Sequence, residues 1–221
     1  MTETNQNLRV LHTDDALLVV DKPSGLLSVP TPGASGPTLL DLLSEAGQDA
    51  RPVHRLDRDV SGALLCARDE ATAAALEDLF RQRALRKTYW ALVQGRPQRM
   101  EGVFTDAILD QGSFARVSSR GKPARTEWRT VQRYPSTTEL EVDLITGRKN
   151  QIRLHFAHYG HPLVGERKYA RGRDDPLKSK RVALHALRLE FEHPASGERL
   201  VVEAPLPAEL KGLRSRARST R

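Results

Sequence analysis

What the chain lacks excludes several classes of protein. Cys66 is the one cysteine in 221 residues, which excludes an internal disulfide and a cysteine-rich metal site. The apolar runs are short, as at 16–20, and none reaches the roughly 20 residues that a membrane span needs. The first ten residues lack a basic segment followed by an apolar one. We therefore expect no signal peptide and a cytoplasmic location.

Aromatic residues are scarce, at 5%, so a base-stacking platform for single-stranded nucleic acid is not indicated. Positive charge is abundant: 35 Lys and Arg against 28 Asp and Glu give a net charge of +7. The basic residues cluster at 81–100, 168–181 and 211–221. A solvated surface or a frayed tail explains any one cluster. Three clusters favour a polyanion, and a folded RNA held through its phosphates fits best.

The spacing of apolar residues predicts both helices and strands. Helices are predicted at 38–47 with Thr38 and Asp41 as a capping box, at 70–85 with Asp69 as the cap, at 148–160, and from Pro207. Short or alternating apolar runs predict strands at 9–12, 16–23, 62–67, 87–95, 102–108, 125–133, 138–145, 182–194 and 199–205.

These elements interleave without a strict βαβ rhythm, which predicts an α+β fold. We expect a single domain over residues 1–221, with a core at about 8–207 and a basic C-terminal tail at 211–221. Its sheet should be mixed and largely antiparallel, flanked by helices and loops.

The stretch His54-Arg55-Leu56-Asp57 precedes a buried strand that begins near Ser61. A carboxylate beside an apolar core is partly desolvated, so a charged Asp57 needs a cationic partner. The other interpretation is a loop aspartate that caps a turn or pairs with a neighbouring arginine.

Two further stretches carry polar groups at the ends of strands. In 87–90, Tyr89 either packs in the core or offers its hydroxyl and ring to a cleft. In 146–153, a strand turns into a helix, and free N–H groups beside Arg148 and Lys149 predict a seat for phosphate. Arg153 opposes the helix dipole, so we expect either a specific anion partner, with Asp57 the candidate, or a solvated side chain.

Other chemistries find less support in the sequence. His155, His158 and His161 lack the H-E-x-x-H pattern of a zinc site, and we expect no metal. His54, Asp57 and Ser61 lie within eight residues and no G-x-S-x-G elbow is present, which disfavours a catalytic triad. These motifs offer no second acidic residue for a glycoside-type hydrolase. Cys66 should be an inert core thiol.

Taken together, these stretches resemble the RluA family of RNA pseudouridine synthases. The match runs in order from about residue 8 to residue 207. The motifs that carry it are VVDKPSGLLSVP at 19–30, HRLD at 54–57 with Ser61-Gly62, K-x-Y-x-ALV-x-G at 87–95, TGR at 146–148 with QIRLH at 151–155, GHPL-x-G at 160–165, and LHA at 184–186. The stretches 25–30 and 160–170 look most like the member that acts on both ribosomal and transfer RNA.

The resemblance implies an isomerase that detaches uracil from its ribose, turns it and rejoins it through carbon, without a cofactor. Asp57 matches the catalytic aspartate, as nucleophile or base, and Arg153 matches the arginine that keeps it ionised. Tyr89 matches the tyrosine that stacks on the base, and Arg55 the residue that fills the space of the flipped nucleotide. The remaining residues that we assign to RNA binding are His54, Lys87, Arg148, Lys149 and Gln151.

The sequence departs from the family pattern at Val60 for Thr, Asn150 for His and Glu166 for Asp. We expect none of these to touch Asp57, Tyr89 or Arg153, and activity to survive. We expect no separate S4-type RNA-binding domain, so the catalytic domain should grip ribosomal or transfer RNA itself. It should act as a monomer, with no DNA or membrane partner. The alternative is a catalytically silent RNA-binding protein on the same scaffold.

Overall fold

The computed structural model describes residues 8–31, 33, 35–112, 114–170 and 172–219. Within these residues the chain forms twelve strands and four helices. The strands are β1 (Arg9–Thr13), β2 (Leu17–Lys22), β3 (Arg51–Pro52), β4 (Ser61–Ala67), β5 (Arg86–Gln94), β6 (Glu101–Phe104), β7 (Ile108–Gln111), β8 (Phe114–Val117), β9 (Thr126–Arg133), β10 (Thr137–Leu144), β11 (Leu184–Glu192) and β12 (Arg199–Glu203). The helices are α1 (Leu39–Glu45), α2 (Glu70–Gln82), α3 (Gln151–His158) and α4 (Ala208–Ser219).

The chain divides into two compact units. The first comprises the residues up to Leu85 together with Arg188–Ala204, and the second comprises Arg86–Leu187 and the residues from Pro205 onward. A single domain over 1–221 therefore stays a prediction. The predicted α+β class is confirmed, and the strand pairs described below are antiparallel. None of the helices in the described part of the chain is long and apolar enough to cross a membrane.

The first unit has the strand order β1-β2-β4, with β3 also paired to β4, and residues 188–192 of β11 pair with β12. Strand β4 is buried along its whole length, as its uninterrupted run of small and apolar residues predicts. Leu17, Leu65, Leu76 and Phe191 belong to one core cluster, which joins the sheet to α2. Burial of these side chains is the main term that stabilises this unit.

Both predicted helix starts of the first unit are confirmed. The Thr38 N–H donates to Oδ2 of Asp41 at 2.7 Å, and Thr38 Oγ1 accepts from the Asp41 N–H at 3.3 Å, which completes the capping box. Asp69 Oδ1 accepts from the Thr72 N–H at 2.8 Å. These side chains satisfy N–H groups that the helix itself leaves without acceptors.

The second unit has the strand order β5-β10-β9-β6, and β7 and β8 form a separate hairpin. The strand predicted at 102–108 is wrong in its extent, because β6 ends at Phe104 and β7 begins at Ile108. At Ile108 the chain leaves the sheet: its N–H and carbonyl both bond to Lys122, at 3.0 and 2.9 Å. The hairpin was missed because its strands have four residues each, too few for a clear pattern.

Helix α4 confirms the helix predicted from Pro207, and it shows that the basic residues up to 219 are not part of a frayed tail. Leu210, Leu213 and Ala217 are buried with Trp90 and Tyr134 in one cluster of the second unit. The tail residues 211–219 are therefore part of an amphipathic helix that packs on its own unit. Arg221 and Arg171, which the sequence assigned to basic clusters, lie outside the described residues.

A buried glutamate, Glu139 on β10, joins α4 to the sheet. Its Oε1 accepts from Nε1 of Trp90 at 2.7 Å and its Oε2 from the hydroxyl of Tyr134 at 2.5 Å. Arg214 Nη1 lies 3.6 Å from Oε1. At least one cation of the predicted RNA-binding tail thus compensates an internal carboxylate.

Replacing Glu139 by Ala should lower the free energy of unfolding by about 3 kcal/mol, because the indole, the phenol and the guanidinium lose their common acceptor. Urea unfolding followed by tryptophan fluorescence measures the change. Glu101→Ala, at an exposed position on β6, is the control and should shift stability by less than about 0.5 kcal/mol. Equal shifts in the two variants would contradict a structural role for Glu139.

Candidate active site

Asp57 lies in the first unit, half-buried, in the loop between β3 and β4. Ser28 fixes the residue before it: Ser28 Oγ donates to the carbonyl of Leu56 at 2.9 Å and accepts from the Leu56 N–H at 3.0 Å. On the other side, the Val60 N–H donates to the carbonyl of Asp57 at 3.0 Å and closes a turn. The backbone at Asp57 is therefore held from both directions.

A fully buried lysine, Lys22, links this loop to the Pro-rich segment after β2. Its Nζ donates to the carbonyls of Pro23 at 2.8 Å, Leu26 at 2.7 Å and Arg58 at 3.4 Å. An ammonium removed from water is costly unless such acceptors surround it. Sequence reasoning did not single out Lys22, although a lysine that ends an apolar strand was a usable signal.

Further hydrogen bonds join the same two segments. The Gly25 N–H donates to the carbonyl of Arg58 at 2.8 Å, and Arg58 Nε donates back to the carbonyl of Gly25 at 2.9 Å. Ser24 Oγ donates to the carbonyl of Asp59 at 3.0 Å. Gly25 has a φ of 89°, in the left-handed region that favours glycine. The segment after β2 is therefore a brace for the Asp57 loop.

The two residues before Leu56, His54 and Arg55, differ in their contacts with the rest of the first unit. His54 Nε2 accepts from the Leu65 N–H at 3.0 Å, and its ring centroid lies 5.2 Å from that of Phe80. Arg55 is exposed and makes no hydrogen bond or ion pair with any residue that the structure describes. Arg55 is available to a partner, whereas His54 contributes to the fold of the first unit.

Tyr89 and Trp90 are adjacent on β5 and both are buried, so they face opposite sides of the sheet. Trp90 packs with α4 and bonds to Glu139, as described above. Tyr89 stands opposite Val142 on β10. The strand therefore fixes the Tyr89 ring on the side of the sheet away from α4.

Arg153, in the first turn of α3, has an anion partner in Glu166, whereas its pairing with the candidate Asp57 stays a prediction. Its Nε and Nη2 donate to the two carboxylate oxygens of Glu166 at 2.6 and 2.9 Å, and both side chains are buried. The Lys168 and Tyr169 N–H groups also donate to Glu166 Oε1, at 2.8 and 3.1 Å. This bidentate arrangement fixes the plane of the guanidinium.

Glu166 therefore overturns the expectation that the departures from the family pattern touch none of the three catalytic candidates. Asn150 is linked to Arg153 through Tyr169. Its Nδ2 donates to the hydroxyl of Tyr169 at 2.7 Å, and the Arg153 guanidinium lies 5.6 Å from the centre of the Tyr169 ring. Burial raises the pKa of Tyr169, which keeps its phenol neutral. Two of the three departures thus surround Arg153.

Gln151 organises the turn that leads into α3. Its Oε1 accepts from Thr146 Oγ1 at 2.8 Å and from the Arg148 N–H at 3.0 Å. Its Nε2 donates to the carbonyl of Arg125 at 3.0 Å and to Thr126 Oγ1 at 2.9 Å. A buried amide with these four bonds does not fit the RNA contact expected of Gln151. It also occupies an N–H group of the predicted phosphate seat.

The two cations beside this turn are attached to the neighbouring hairpin. Arg148 Nε donates to the carbonyl of Pro123 at 3.0 Å. Lys149 Nζ donates to the carbonyl of Gly112 and lies 3.5 Å from Oδ1 of Asp110. Both side chains therefore have defined positions.

The histidines serve the fold of the second unit. The buried His155 has Nδ1 at 2.9 Å from Thr126 Oγ1 and Nε2 at 2.9 Å from the Asp106 carbonyl oxygen, and burial lowers its pKa. His161 Nδ1 lies 3.0 Å from the Gln94 carbonyl oxygen. Across the described ranges, no three His, Cys, Asp or Glu side chains are placed to hold a metal ion. Burial raises the pKa of Cys66 to about 12, as fits an inert thiol.

The family model for RNA pseudouridylate synthase matches residues 16–158, a span that contains Asp57, Tyr89 and Arg153. The chain belongs to the RNA pseudouridylate synthase family. The family resemblance inferred from the sequence motifs is thereby confirmed.

Named relatives and solved structures agree with this membership. The chain is 39% identical to ribosomal large subunit pseudouridine synthase D of Nitrosomonas europaea, over 93% of this chain and 64% of that protein. It is 35% identical to synthase C of Haemophilus ducreyi, over 95% of this chain and 69% of that protein. The chain thus spans about two thirds of the length of these relatives.

Two human structures have the same fold. Human RNA pseudouridylate synthase domain containing 1 aligns with a TM-score of 0.77 and 27% identity, covering 94% of this chain and 86% of that one. Human RNA pseudouridylate synthase domain containing 4 aligns with a TM-score of 0.79 and 25% identity, covering 95% and 93%.

Lys87 at the start of β5 should titrate far below an ordinary lysine, because desolvation lowers its pKa from 10.5 to about 8. Between these two values the unfolded chain binds the extra proton, so the contribution of Lys87 to stability should rise with pH in this window. An NMR titration of the lysine ε-methylene groups tests this, with Lys87→Arg identifying the signal. A midpoint near 10.4, as for exposed lysines, would contradict the desolvation of Lys87.

Proposed function

We propose that this chain isomerises specific uridines of structured RNA to pseudouridine, with ribosomal RNA, transfer RNA or both as substrate. One observation carries the proposal: the aspartate motif of the family lies in a loop whose backbone is fixed by Ser28 and Lys22. A side chain that attacks a sugar or a base gains from such a fixed position. The names of the relatives favour ribosomal RNA.

Asp57 acts in this proposal as nucleophile or base. The bond between ribose C1′ and uracil N1 breaks, the base turns, and a bond between C1′ and C5 forms. C5 then loses its proton and N1 gains one, so the atoms balance and no cofactor is required. Arg153 is assigned to keep Asp57 ionised, and Tyr89 to stack on the base and take the C5 proton.

The remaining assigned residues would act on the RNA outside the target base. Arg55, exposed and unpaired among the described residues, fits the side chain that fills the gap of a flipped nucleotide. Lys87, Arg148 and Lys149 are assigned to phosphates, and His54 to holding the Asp57 loop. Gln151 is assigned to positioning Arg148. We propose that the protein acts in the cytoplasm as a monomer.

Replacing Asp57 by Asn should abolish turnover, by about 10³-fold or more, while RNA affinity stays within about tenfold. Release of tritium from C5-labelled uridine in ribosomal RNA transcripts measures turnover, and filter binding measures affinity. Asp59→Asn removes an exposed carboxylate two residues away and serves as the control, with activity unchanged.

The same assay separates the competing functions. Binding without tritium release from any ribosomal or transfer RNA would identify a silent RNA-binding protein. Free uracil as the product would identify a hydrolase. A wild-type rate in Asp57→Asn would show that another group performs the chemistry.

Replacing Glu166 by Gln should lower kcat by about 10²-fold and leave KM nearly unchanged, because the Arg153 guanidinium loses its charged, bidentate partner. Glu166→Asp keeps the carboxylate and should restore part of kcat, which a merely structural defect would not predict. Glu209→Gln removes the charge of an exposed glutamate that pairs with Arg181 and is the matched control. Equal rates in Glu166→Gln and wild type would remove Glu166 from the positioning machinery.

A further inference from the structure

The β7–β8 hairpin of the second unit presents one buried and one exposed face. Ile108 and Ala115 are 2% and 0% exposed and pack in a cluster with Leu154 of α3 and with Tyr169. Side chains alternate along β8, so Phe114 and Arg116 point the other way. Phe114 is 42% exposed. One exposed aromatic side chain is ordinary by itself, and it becomes a candidate contact for a partner only together with the exposed cations of the same hairpin.

The hairpin is firmly attached to its unit. Lys149 Nζ donates to the carbonyl of Gly112, and Arg148 Nε donates to the carbonyl of Pro123. A Cβ on Gly121 would lie 2.3 Å from the carbonyl carbon of Ile108, so only glycine allows this close approach. The turn after β8 is therefore pressed against β7, and the exposed face has a defined position. A surface ordered in advance binds at a lower entropic cost.

Three cations on this hairpin and its following turn are exposed: Arg116, Arg120 and Lys122. None of them makes an ion pair with a residue in the described part of the chain. Arg125, a few residues on, is by contrast paired with Glu127 at 2.6 Å. The three unpaired cations are the charge that a polyanion would neutralise.

The environment of Phe114 adds an aromatic component to this charge. Its ring centroid lies 5.3 Å from that of Tyr169. Lys168 Nζ lies 5.5 Å from each of the two ring centroids. An exposed ring beside a second ring and a cation can contact a nucleobase, and cationic side chains of the same hairpin can bind the adjoining phosphates.

We propose that the exposed face of the β7–β8 hairpin is an RNA-docking surface, with Phe114 stacking on an unpaired base and Arg116, Arg120 and Lys122 binding phosphates. The proposal rests on the proposed function, since it takes RNA as the partner. Charge complementarity favours RNA over a protein, because the hairpin and its following turn carry three exposed cations without an ion-pair partner among the described residues. None of these residues lies in the three basic clusters read from the sequence.

Filter binding of the full chain to a transcript of 23S ribosomal RNA, measured over a series of salt concentrations, tests both contacts. Phe114→Ala should weaken binding about fivefold or more and leave the salt dependence unchanged, because stacking releases no counterions. Phe114→Tyr retains the ring and should bind within about twofold of wild type. Val131→Ala, at another exposed apolar position of the second unit, is the matched control and should bind like wild type.

The combined variant Arg116→Gln, Arg120→Gln, Lys122→Gln should reduce the slope of log K against log salt by about 2 to 3. Arg9→Gln, Arg51→Gln, Arg199→Gln removes the same charge from exposed positions of the first unit and should leave the slope within about 1 of wild type. If the two combined variants had equal slopes, the change in slope would reflect net charge alone. That result would overturn the phosphate contacts of the hairpin.

The outcomes separate this surface from the proposed function. Wild-type affinity in Phe114→Ala overturns the stacking contact even if the wild-type protein releases tritium from uridine. Loss of affinity in the hairpin variants supports the surface even if the wild-type protein releases none, in which case the isomerase activity fails alone. If the hairpin variants lost a protein partner of the wild-type chain but kept their affinity for RNA, the surface would be assigned to a protein.

Discussion

The Asp57 loop depends on the buried ammonium of Lys22. A charge inside the first unit requires acceptors, and the three carbonyls that supply them belong to Pro23, Leu26 and Arg58. Because Arg58 follows Asp57 directly, satisfying Lys22 also fixes the backbone at the candidate catalytic residue. The brace from 23 to 28 and the HRLD motif are thus one structural unit, although about 30 residues separate them in sequence. Both have to be intact for Asp57 to hold one position.

A buried ion pair fixes a candidate catalytic residue in the other unit. Glu166 holds the Arg153 guanidinium by two hydrogen bonds, and the N–H groups of Lys168 and Tyr169 hold Glu166. The basic residues of the chain therefore fall into two groups, those that serve the interior and those that remain on the surface. Lys22 and Arg153 are internal, and Arg214 compensates Glu139. The cations that remain free on the surface, such as those of the β7–β8 hairpin, are the ones suited to phosphates.

Local patterns in the sequence predicted the local parts of the structure. The caps at Thr38 and Asp69 depend on residues three positions apart, and the buried strand β4 on a continuous apolar run. The partner of Arg153 lies thirteen residues beyond it, outside any local pattern. The acceptors of Lys22 are backbone carbonyls, which every residue carries and which the sequence therefore cannot single out. A helix was predicted from Pro207, but the packing of its three apolar residues on the second unit was not, because three arginines share the same short helix. Such pairings follow from how the elements pack, and the family resemblance supplied only the positions of the motifs.

The central proposal is that this chain converts uridine to pseudouridine in ribosomal or transfer RNA, through Asp57. The most direct measurement maps pseudouridines in both RNAs from cells that lack the protein, and from the same cells supplied with wild-type or Asp57→Asn protein at equal levels. The account predicts at least one uridine that stays unmodified in the deficient cells, regains pseudouridine with the wild-type protein, and stays unmodified with the variant. An identical map in all cells, or restoration by the variant, would contradict it.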